Sequence, residues 1–474
     1  MTQVTQATQP GFLHRAGGRL RIEQADAGWL ARQFGTPLFV VSESRLRSNY
    51  RRIRDAFSTA WGGEVNVMFA IKANYSLAIR RILSQEGAGG DAFGPGELTA
   101  TLVTGTDPAR TSLGGSGKQP AAIHQAVARG VRITVDALDE LPLIAAAARA
   151  CGRTAVLTLR SKPRLDELNE FRSVASPYRM GAEIPLGDWV LDNKWGLTVA
   201  EAAQALRLIE AAPELDARGV HSHVGRHYGY GRQYVAAVPG LVRWIAELRD
   251  QSGWTPSWIN LGGGWATEDD PVLRGAGSRR EAGGHPEMWD HPRGPIEEIA
   301  GEVCARLREC LAGARLSGQA IELEPGRYIV TDAVLLLATV VSVKDQPGIA
   351  RYVNVDASVA HFPVPELQDS ANPVLTAGPA GQPLPGPAAI VGPSCFEDLL
   401  SWGRPLPALA AGDVIAFLGA GACADSYSAT TNAIPRPAVV LVSGDQAEVI
   451  KRRETIEDIF SRDHVPERLW QPGP

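Results

Sequence analysis

Long apolar runs are absent from this chain. No hydrophobic stretch approaches ~18 residues, the length of a membrane-spanning helix. Residues 1–10 are polar and lack the apolar core of a secretion signal, so we expect a cytoplasmic protein. Cysteine is also scarce: the five are Cys151, Cys304, Cys310, Cys395 and Cys423. None has C-x-x-C spacing, which argues against a disulfide framework or a zinc site, and we predict no metal centre.

An excess of one charge is missing as well. The 47 basic and 52 acidic residues leave a formal net charge of -5 and a pI near 6.0. This balance does not favour nucleic acid or an anionic membrane as a partner. With 44% hydrophobic and 21% charged residues among 474, the composition is that of an ordinary globular protein, long enough for two domains.

Short apolar runs alternate with helical patterns between residues 65 and 327. The helical stretches include Pro120–Arg129, Ala137–Ala150 and Val199–Ala211. We predict eight strands, at Asn66–Ala73, Gly90–Gly94, Thr111–Gly115, Arg132–Asp136, Thr154–Arg160, Val220–Gly225, Trp258–Gly264 and Ile321–Arg327. This alternation predicts a parallel (β/α)8 barrel, a TIM-like fold, over residues 45–328. Catalytic groups of such barrels lie at the C-terminal strand ends.

The pattern changes after Arg327. Strand-like runs interrupted by Pro and Gly predict a C-terminal β-barrel or β-sandwich domain over residues 329–474: Val330–Val343, Tyr352–Asp356, Ala388–Val391, Asp413–Phe417 and Ala438–Val442. The polar segment Thr267–Gly294 is long for a connection between barrel elements. Segments of that kind are lids, substrate loops or disordered stretches, and these alternatives stay open.

Lys72 ends the apolar run Met68–Ile71, and small residues follow it. A buried ammonium is costly unless it is paired, neutralised or used covalently. The usual covalent use is a Schiff base to a carbonyl cofactor. The alternative is a surface lysine at a strand end, and this segment alone does not decide between the two.

Two later segments could hold a phosphorylated cofactor. Gly262, Gly263 and Gly264 follow an apolar run and would expose backbone N–H groups to a phosphate, although a tight turn explains them equally well. In the run from Glu322 to Arg327, the arginine could pair with the phosphate. Glu324 could keep a pyridine nitrogen protonated. The alternative for either glutamate is a structural ion pair.

Histidines and a cysteine complete the set of candidates. His221 and His223 fall on one face of a predicted strand. A metal pair is one interpretation, but we favour a flat imidazole stacked on a cofactor ring for His223 and a hydrogen-bonded core histidine for His221. Cys395 lies in a Gly-Pro turn close to two acids and could deliver a proton to a carbanion, whereas most lone cysteines are inert core residues.

Taken in order, these segments resemble the fold-type III pyridoxal-phosphate decarboxylases, the alanine-racemase-like superfamily whose diaminopimelate and ornithine branch is most similar. The resemblance extends from about Gly35 to Leu441. The motifs that carry it are Ala70–Asn74, Gly90–Ala92 with Glu97, Val135-Asp136, His221–Gly225, Asn260–Gly264, Glu324–Arg327, Gly392–Cys395 and Gly419–Ala422.

The resemblance implies a role for each matching position. Lys72 would hold pyridoxal 5'-phosphate as a Schiff base, Glu324 would partner the pyridine nitrogen, and His223 would stack on the ring. Cys395 would be the proton donor, contributed by the other subunit of a head-to-tail homodimer. The remaining cofactor positions implied are Asp91, Arg160, Gly262, Gly263, Gly264 and Arg327. Residues 1–44 would join the β domain.

Several positions depart from the family pattern. Cys423 stands where the family has a phosphate-binding tyrosine, so Tyr427 or Asp425 would have to replace that hydrogen bond. Arg226 replaces a Ser or Thr and could bind the phosphate or a substrate carboxylate. The stretch Asp356–Pro363 lacks the family's Arg-Pro and Tyr. We take Glu397, Asp398 and His361 as candidate substrate contacts.

These changes predict decarboxylation of an amino acid other than meso-diaminopimelate or ornithine, in a pathway of specialised metabolism. Racemisation or β-elimination on the same cofactor is the first alternative. The second is a degenerate paralogue without catalysis, supported only by the missing phosphate tyrosine.

Overall fold

The structure, a computed structural model, describes residues 11–170, 173–224, 231–265, 267, 294–367, 372–379, 388–404 and 406–470. These residues form two compact units. One unit is Glu43–Ala333, and the other combines the described residues up to Ser42 with those from Val334 onward. Among the described residues, no helix has both the length and the apolar character needed to cross a membrane.

Eight parallel strands of the first unit close into a barrel. In chain order they are Val65–Ala70, Gly89–Ala92, Thr111–Leu113, Arg132–Val135, Ala155–Arg160, Leu215–His221, Trp258–Asn260 and Ala320–Leu323. Each strand pairs with the next, and the eighth pairs with the first through Ile321 and Val65. The predicted TIM-like barrel is therefore confirmed.

Helices separate the barrel strands. They are Glu43–Trp61, Leu77–Gln85, Pro95–Val103, Pro120–Arg129, Glu140–Cys151, Leu186–Asp192, Val199–Glu210, Gly231–Ser252, Ile296–Gly313 and Arg327–Val330. Local chemistry fixes several ends: Thr198 and Glu201 form a capping box, and Gly130 ends its helix in the left-handed conformation. A two-stranded hairpin, Ser173–Ala175 with Glu183–Pro185, follows the fifth strand.

Seven of the eight predicted barrel strands end earlier than expected, and two of these differences matter most for the site. The first stops at Ala70, and Ile71–Ala73 form a 3₁₀ turn, so Lys72 lies just beyond the strand. The seventh stops at Asn260, because Gly262 and Gly264 have φ angles of 69° and 95°, which extended backbone does not allow. Both differences move functional side chains from strands into the loops at the C-terminal mouth of the barrel.

The second unit is built on sheets. Its strands are Leu13–Ala16, Arg19–Ile22, Ala25–Asp26, Leu38–Ser42, Val334–Gln346, Ala350–Val355, Val374–Thr376, Ala388–Val391, Leu399–Arg404, Val414–Phe417, Ala438–Ser443 and Gln446–Lys451. Its helices are Ala27–Phe34, Val364–Leu367 and Ile456–Phe460. The fully buried strand Leu38–Ser42 lies at the centre of the large sheet, between Val334–Gln346 and Ala438–Ser443. The predicted second β domain is confirmed.

Candidate active site

Lys72 lies at the mouth of the barrel beside a buried acid. Its Nζ is 3.0 Å from Oδ2 of Asp91, whose side chain is 3% exposed, whereas the lysine side chain is 42% exposed. Burial lowers the pKa of Lys72, but the carboxylates of Asp91 and Glu324 outweigh that effect and raise it. The alternative of an ordinary surface lysine does not fit this setting.

Glu324 follows the eighth strand and sits in a buried polar cluster. Asn260 donates its amide to Oε1 at 2.8 Å, and Nε2 of His221 lies 3.2 Å from Oε2. Burial raises the pKa of Glu324, yet His221 and Lys72 lower it well below its ordinary value. The carboxylate is therefore anionic, and His221 donates its Nε2 proton to it.

His223 is fixed by the glycine turn that follows the seventh strand. The Gly263 N–H donates to its Nδ1 at 3.1 Å, so the neutral ring carries its proton on Nε2. Burial, together with the nearby cations Lys72 and Arg160, lowers the pKa of His223 well below 6.5. At neutral pH the imidazole is therefore an uncharged, flat group.

The glycine turn has no room for side chains. A Cβ on Gly262 would lie 2.6 Å from the Ser222 carbonyl oxygen, and one on Gly263 would lie 2.6 Å from the Glu324 carbonyl oxygen. The Trp265 indole N–H donates to the Gly262 carbonyl at 2.9 Å and so stabilises the turn. The turn thereby packs the sixth, seventh and eighth strand ends together.

Arg160 ends the fifth strand and is buried. Its NH1 lies 3.8 Å from Oδ1 of Asp136, and its guanidinium lies over the Trp195 ring at 5.0 Å. Asp136 is held in turn, because its backbone N–H donates to Glu140. Arg160 is thus a rigid cation that contributes to the low pKa of His223.

Arg327 begins the short helix that follows Glu324. A Cβ on Gly326 would lie 2.9 Å from Cβ of Ala73, so this segment packs directly against the turn that carries Lys72. Gly264, the third glycine of the predicted phosphate-binding turn, has a left-handed φ of 95°. Arg226 lies outside the described residues.

The loop that carries Cys395 belongs to the second unit. The side chains of Cys395, Phe396 and Glu397 are exposed, whereas Asp398 is 2% exposed and adopts a φ of 48°. The Asp398 carboxylate accepts hydrogen bonds from the Ser358 hydroxyl and from the backbone N–H groups of Val359 and Ser394. This geometry makes Asp398 an anchor of its own loop, and its role as a substrate contact stays a prediction.

The other candidates in the second unit differ in accessibility. His361 is completely buried, and its role as a substrate contact stays a prediction. Tyr427 is 47% exposed and ends the 3₁₀ turn Asp425–Tyr427. Cys423 is partly buried with a left-handed φ of 59°, and Asp425 forms an ion pair with Lys451 at 2.5 Å.

Two contributors are not predicted from the sequence. Asn260 enters the sequence analysis only as part of a glycine motif, although an asparagine that ends a strand facing an acid is a usable signal. His221 fits the prediction of a hydrogen-bonded core histidine, and the structure identifies its partner as Glu324. Phe93 was not considered, and its ring centroid lies 4.4 Å from the Lys72 Nζ.

The side chains at the barrel mouth fit pyridoxal phosphate. A solvent-reachable amine stands among buried carboxylates, and an anionic glutamate can pair with a pyridinium proton. The glycine turn at the same mouth carries no side chains, and its Gly262 and Gly263 N–H groups donate to Asn260 and His223. Among the described residues, no group of three or more His, Cys, Asp or Glu side chains could hold a metal ion.

Comparisons with known proteins agree with this chemistry. The model of the family "Pyridoxal-dependent decarboxylase, pyridoxal binding domain" matches residues 43–331. A diaminopimelate decarboxylase of Methanothermobacter thermautotrophicus is 31% identical over 462 residues, covering 95% of this chain and 97% of that protein. One of Zymomonas mobilis is 29% identical over 454 residues, covering 95% and 98%.

A solved structure extends the likeness to the fold. The M. jannaschii diaminopimelate decarboxylase in complex with L-lysine superposes with a TM-score of 0.82 at 26% identity, covering 97% of this chain and 99% of that one. The family predicted from the motifs is confirmed. The chain belongs to the pyridoxal-dependent decarboxylases of the ornithine, arginine and diaminopimelate family, and it is an amino-acid carboxy-lyase that uses pyridoxal phosphate.

Proposed function

We propose that this enzyme removes the α-carboxylate, as CO2, from an amino acid other than meso-diaminopimelate, leaving an amine. The observation that carries the reaction is the grouping of Lys72, Asp91 and Glu324 at one barrel mouth. The bound cofactor supplies an electron sink for the charge that decarboxylation leaves on the α-carbon. The chain's own residues supply position, charge and protons.

Each residue has a distinct task in this proposal. Lys72 holds the cofactor covalently, and Asp91 keeps its amine in place. Anionic Glu324, oriented by His221 and Asn260, retains a proton on the pyridine nitrogen. A neutral His223 would stack on the ring without drawing electrons from it, because it carries no charge.

Phosphate binding falls to the glycine turn and to a cation. The turn Gly262–Gly264 and Arg327 would bind the phosphate, with Tyr427 substituting for the tyrosine that Cys423 replaces. Arg160 stiffens the site behind the ring through its contacts with Asp136 and Trp195.

The substrate proposal rests on the loop around Cys395. Because Asp398 is committed to its own loop, the exposed groups beside the thiol are the phenyl ring of Phe396, 57% exposed, and the carboxylate of Glu397. An apolar ring next to the proton donor suits a less polar side chain than that of a diamino diacid. The second candidate substrate is diaminopimelate itself, which the names of the relatives favour.

A product screen separates the two candidates. The purified enzyme, supplied with pyridoxal phosphate, is incubated with L- and D-amino acids of basic, acidic, apolar and diamino classes and with meso-diaminopimelate. CO2 and the matching amine are then quantified. Preferred release from another amino acid supports the proposal, and a highest kcat/KM for meso-diaminopimelate overturns its substrate part. An inverted or deaminated product without CO2 would point to racemisation or β-elimination.

We also propose a head-to-tail homodimer in which Cys395 serves the site of the partner subunit. Mixing Lys72→Ala and Cys395→Ala subunits tests this arrangement. If the two residues come from different chains, mixed dimers contain one intact site, and random reassortment restores about a quarter of wild-type activity. No restoration in verified mixed dimers would contradict shared sites.

A further inference from the structure

We propose that Phe93 is a positioning residue that holds the Lys72 ammonium and sets how readily this lysine becomes a reactive amine. The proposal rests on the cofactor-binding role of Lys72. Phe93 directly follows the second barrel strand, Gly89–Ala92, and its ring centroid lies 4.4 Å from the Lys72 Nζ. A cation at this distance from an aromatic face is attracted by the ring quadrupole.

The ring of Phe93 lies beside two glycines that follow the third barrel strand. A Cβ on Gly115 would lie 3.0 Å from Cδ1 of the ring, and one on Gly114 would lie 3.4 Å from Cε2, so the absence of side chains there leaves room for the ring. The Phe93 backbone N–H donates to Oε2 of Glu97 at 2.7 Å, which fixes the backbone that carries the ring. The ring itself is 37% exposed, so replacing it leaves no buried cavity.

The ring adds to several charges that already act on Lys72. Asp91 on the second strand, Glu97 on the helix Pro95–Val103 and Glu324 beyond the eighth strand all favour the ammonium. His223, beyond the sixth strand, is uncharged at neutral pH. None of these groups changes when Phe93 is replaced, so the contribution of the ring can be measured separately.

The stabilisation of the Lys72 ammonium by the Phe93 ring affects the step in which Lys72 captures the cofactor. The ammonium must first lose a proton to solvent, because its lone pair is otherwise occupied. The neutral amine then adds to the aldehyde carbon, a C=N bond forms, and one water leaves. A ring that stabilises the ammonium lowers the fraction of amine, and so slows capture at any pH below the pKa of Lys72.

The test follows absorbance while apoenzyme captures pyridoxal phosphate between about pH 7 and about pH 9, where a lysine of raised pKa is mostly protonated. Phe93→Leu removes the π face and should speed capture about 2- to 5-fold, a shift of about 0.3 to 0.7 in pKa. Phe93→Tyr keeps the face and should restore the wild-type rate. An unchanged rate for Phe93→Leu would overturn the proposal.

Two controls keep the outcome unambiguous. Hydroxylamine attack on the cofactor-loaded enzyme reports access to the bound cofactor and does not require Lys72 to lose a proton. If Phe93→Leu speeds cofactor capture and hydroxylamine attack equally, the ring is only a steric barrier and the proposal fails. Lys72→Ala should abolish capture. Cofactor capture that persists in Lys72→Ala would overturn the role of Lys72 itself. If Lys72→Ala abolishes capture and Phe93→Leu captures at the wild-type rate, only the inference about Phe93 is overturned.

Discussion

Glu322 and Glu324 stand two residues apart, yet their carboxylates enter separate buried networks. Glu322 pairs with Arg132 at 2.6 Å and accepts the Asn66 amide at 3.0 Å, near the starts of the fourth and first strands. Glu324 faces His221, at the C-terminal mouth. Glu322 thus stabilises the N-terminal end of the barrel, and Glu324 belongs to the cofactor site.

Substituting each acid by glutamine should therefore give opposite phenotypes. Glu322→Gln leaves the Arg132 charge buried without its counter-ion and should lower the free energy of unfolding by about 3–5 kcal/mol, with near-normal turnover per folded molecule. Glu324→Gln should lower kcat by at least about 10²-fold, because a preorganised charge is lost. Denaturant unfolding and steady-state kinetics measure the two effects. Equal loss of kcat in both variants would contradict the division.

Cys395→Ala should slow turnover by about 10²- to 10⁴-fold, the range for loss of a general acid. The exposed position of this thiol on the 392–398 loop leaves it accessible for proton delivery. Cys310→Ala, a partly buried cysteine on the helix Ile296–Gly313, is the matched control and should retain activity. Kinetics with the best substrate of the screen provide the measurement, and an unaffected Cys395→Ala enzyme would remove the thiol from its role.

Asp398→Asn should destabilise the protein by about 1–3 kcal/mol, because three donors lose a charged acceptor. The neighbouring exposed acid offers the control: Glu397→Gln should change the free energy of unfolding by less than about 0.5 kcal/mol. Thermal or denaturant unfolding compares the two. If Asp398→Asn were fully stable but raised KM, the carboxylate would be a substrate contact after all.

His361 should make the protein sensitive to acid. Burial lowers the pKa of His361 from 6.5 to about 4. Between these two pH values His361 binds a proton in the unfolded chain and stays neutral in the folded chain. Stability should fall as the pH drops through this window, by up to about 3 kcal/mol at its lower end. His361→Phe should flatten this part of the stability curve in denaturant titrations. A curve with the wild-type slope would show that His361 does not carry the effect.

The sequence alone predicted the barrel because its strands are apolar runs bounded by helices of clear period. It also placed Lys72, His223 and Glu324 at strand ends, since motif order and barrel topology together specify that mouth. Strand boundaries were harder to predict. The turn at Ile71–Ala73 is closed by the Asn74 N–H, which donates to the Ile71 carbonyl, and the apolar run before it does not show where the strand ends.

Roles that depend on side-chain direction could not be derived from the sequence. An acid beside a cysteine looks like a substrate contact until a φ of 48° turns Asp398 inward. His361 is a polar residue in a Pro-bounded stretch, and only packing reveals that it is fully buried. The Phe93–Lys72 contact joins residues that follow two different strands, and a side chain at Gly115 would meet the Phe93 ring.

The central claim is that Lys72 carries the cofactor for decarboxylation. Wild-type enzyme and Lys72→Ala are each incubated with pyridoxal phosphate and an amino-acid panel, and visible absorbance and CO2 release are recorded together. We expect a lysine-dependent absorbance band and equal amounts of CO2 and amine from the wild type, and neither signal from the variant. A variant that keeps both signals, or a wild type that binds the cofactor but releases no CO2 from any amino acid, would contradict it.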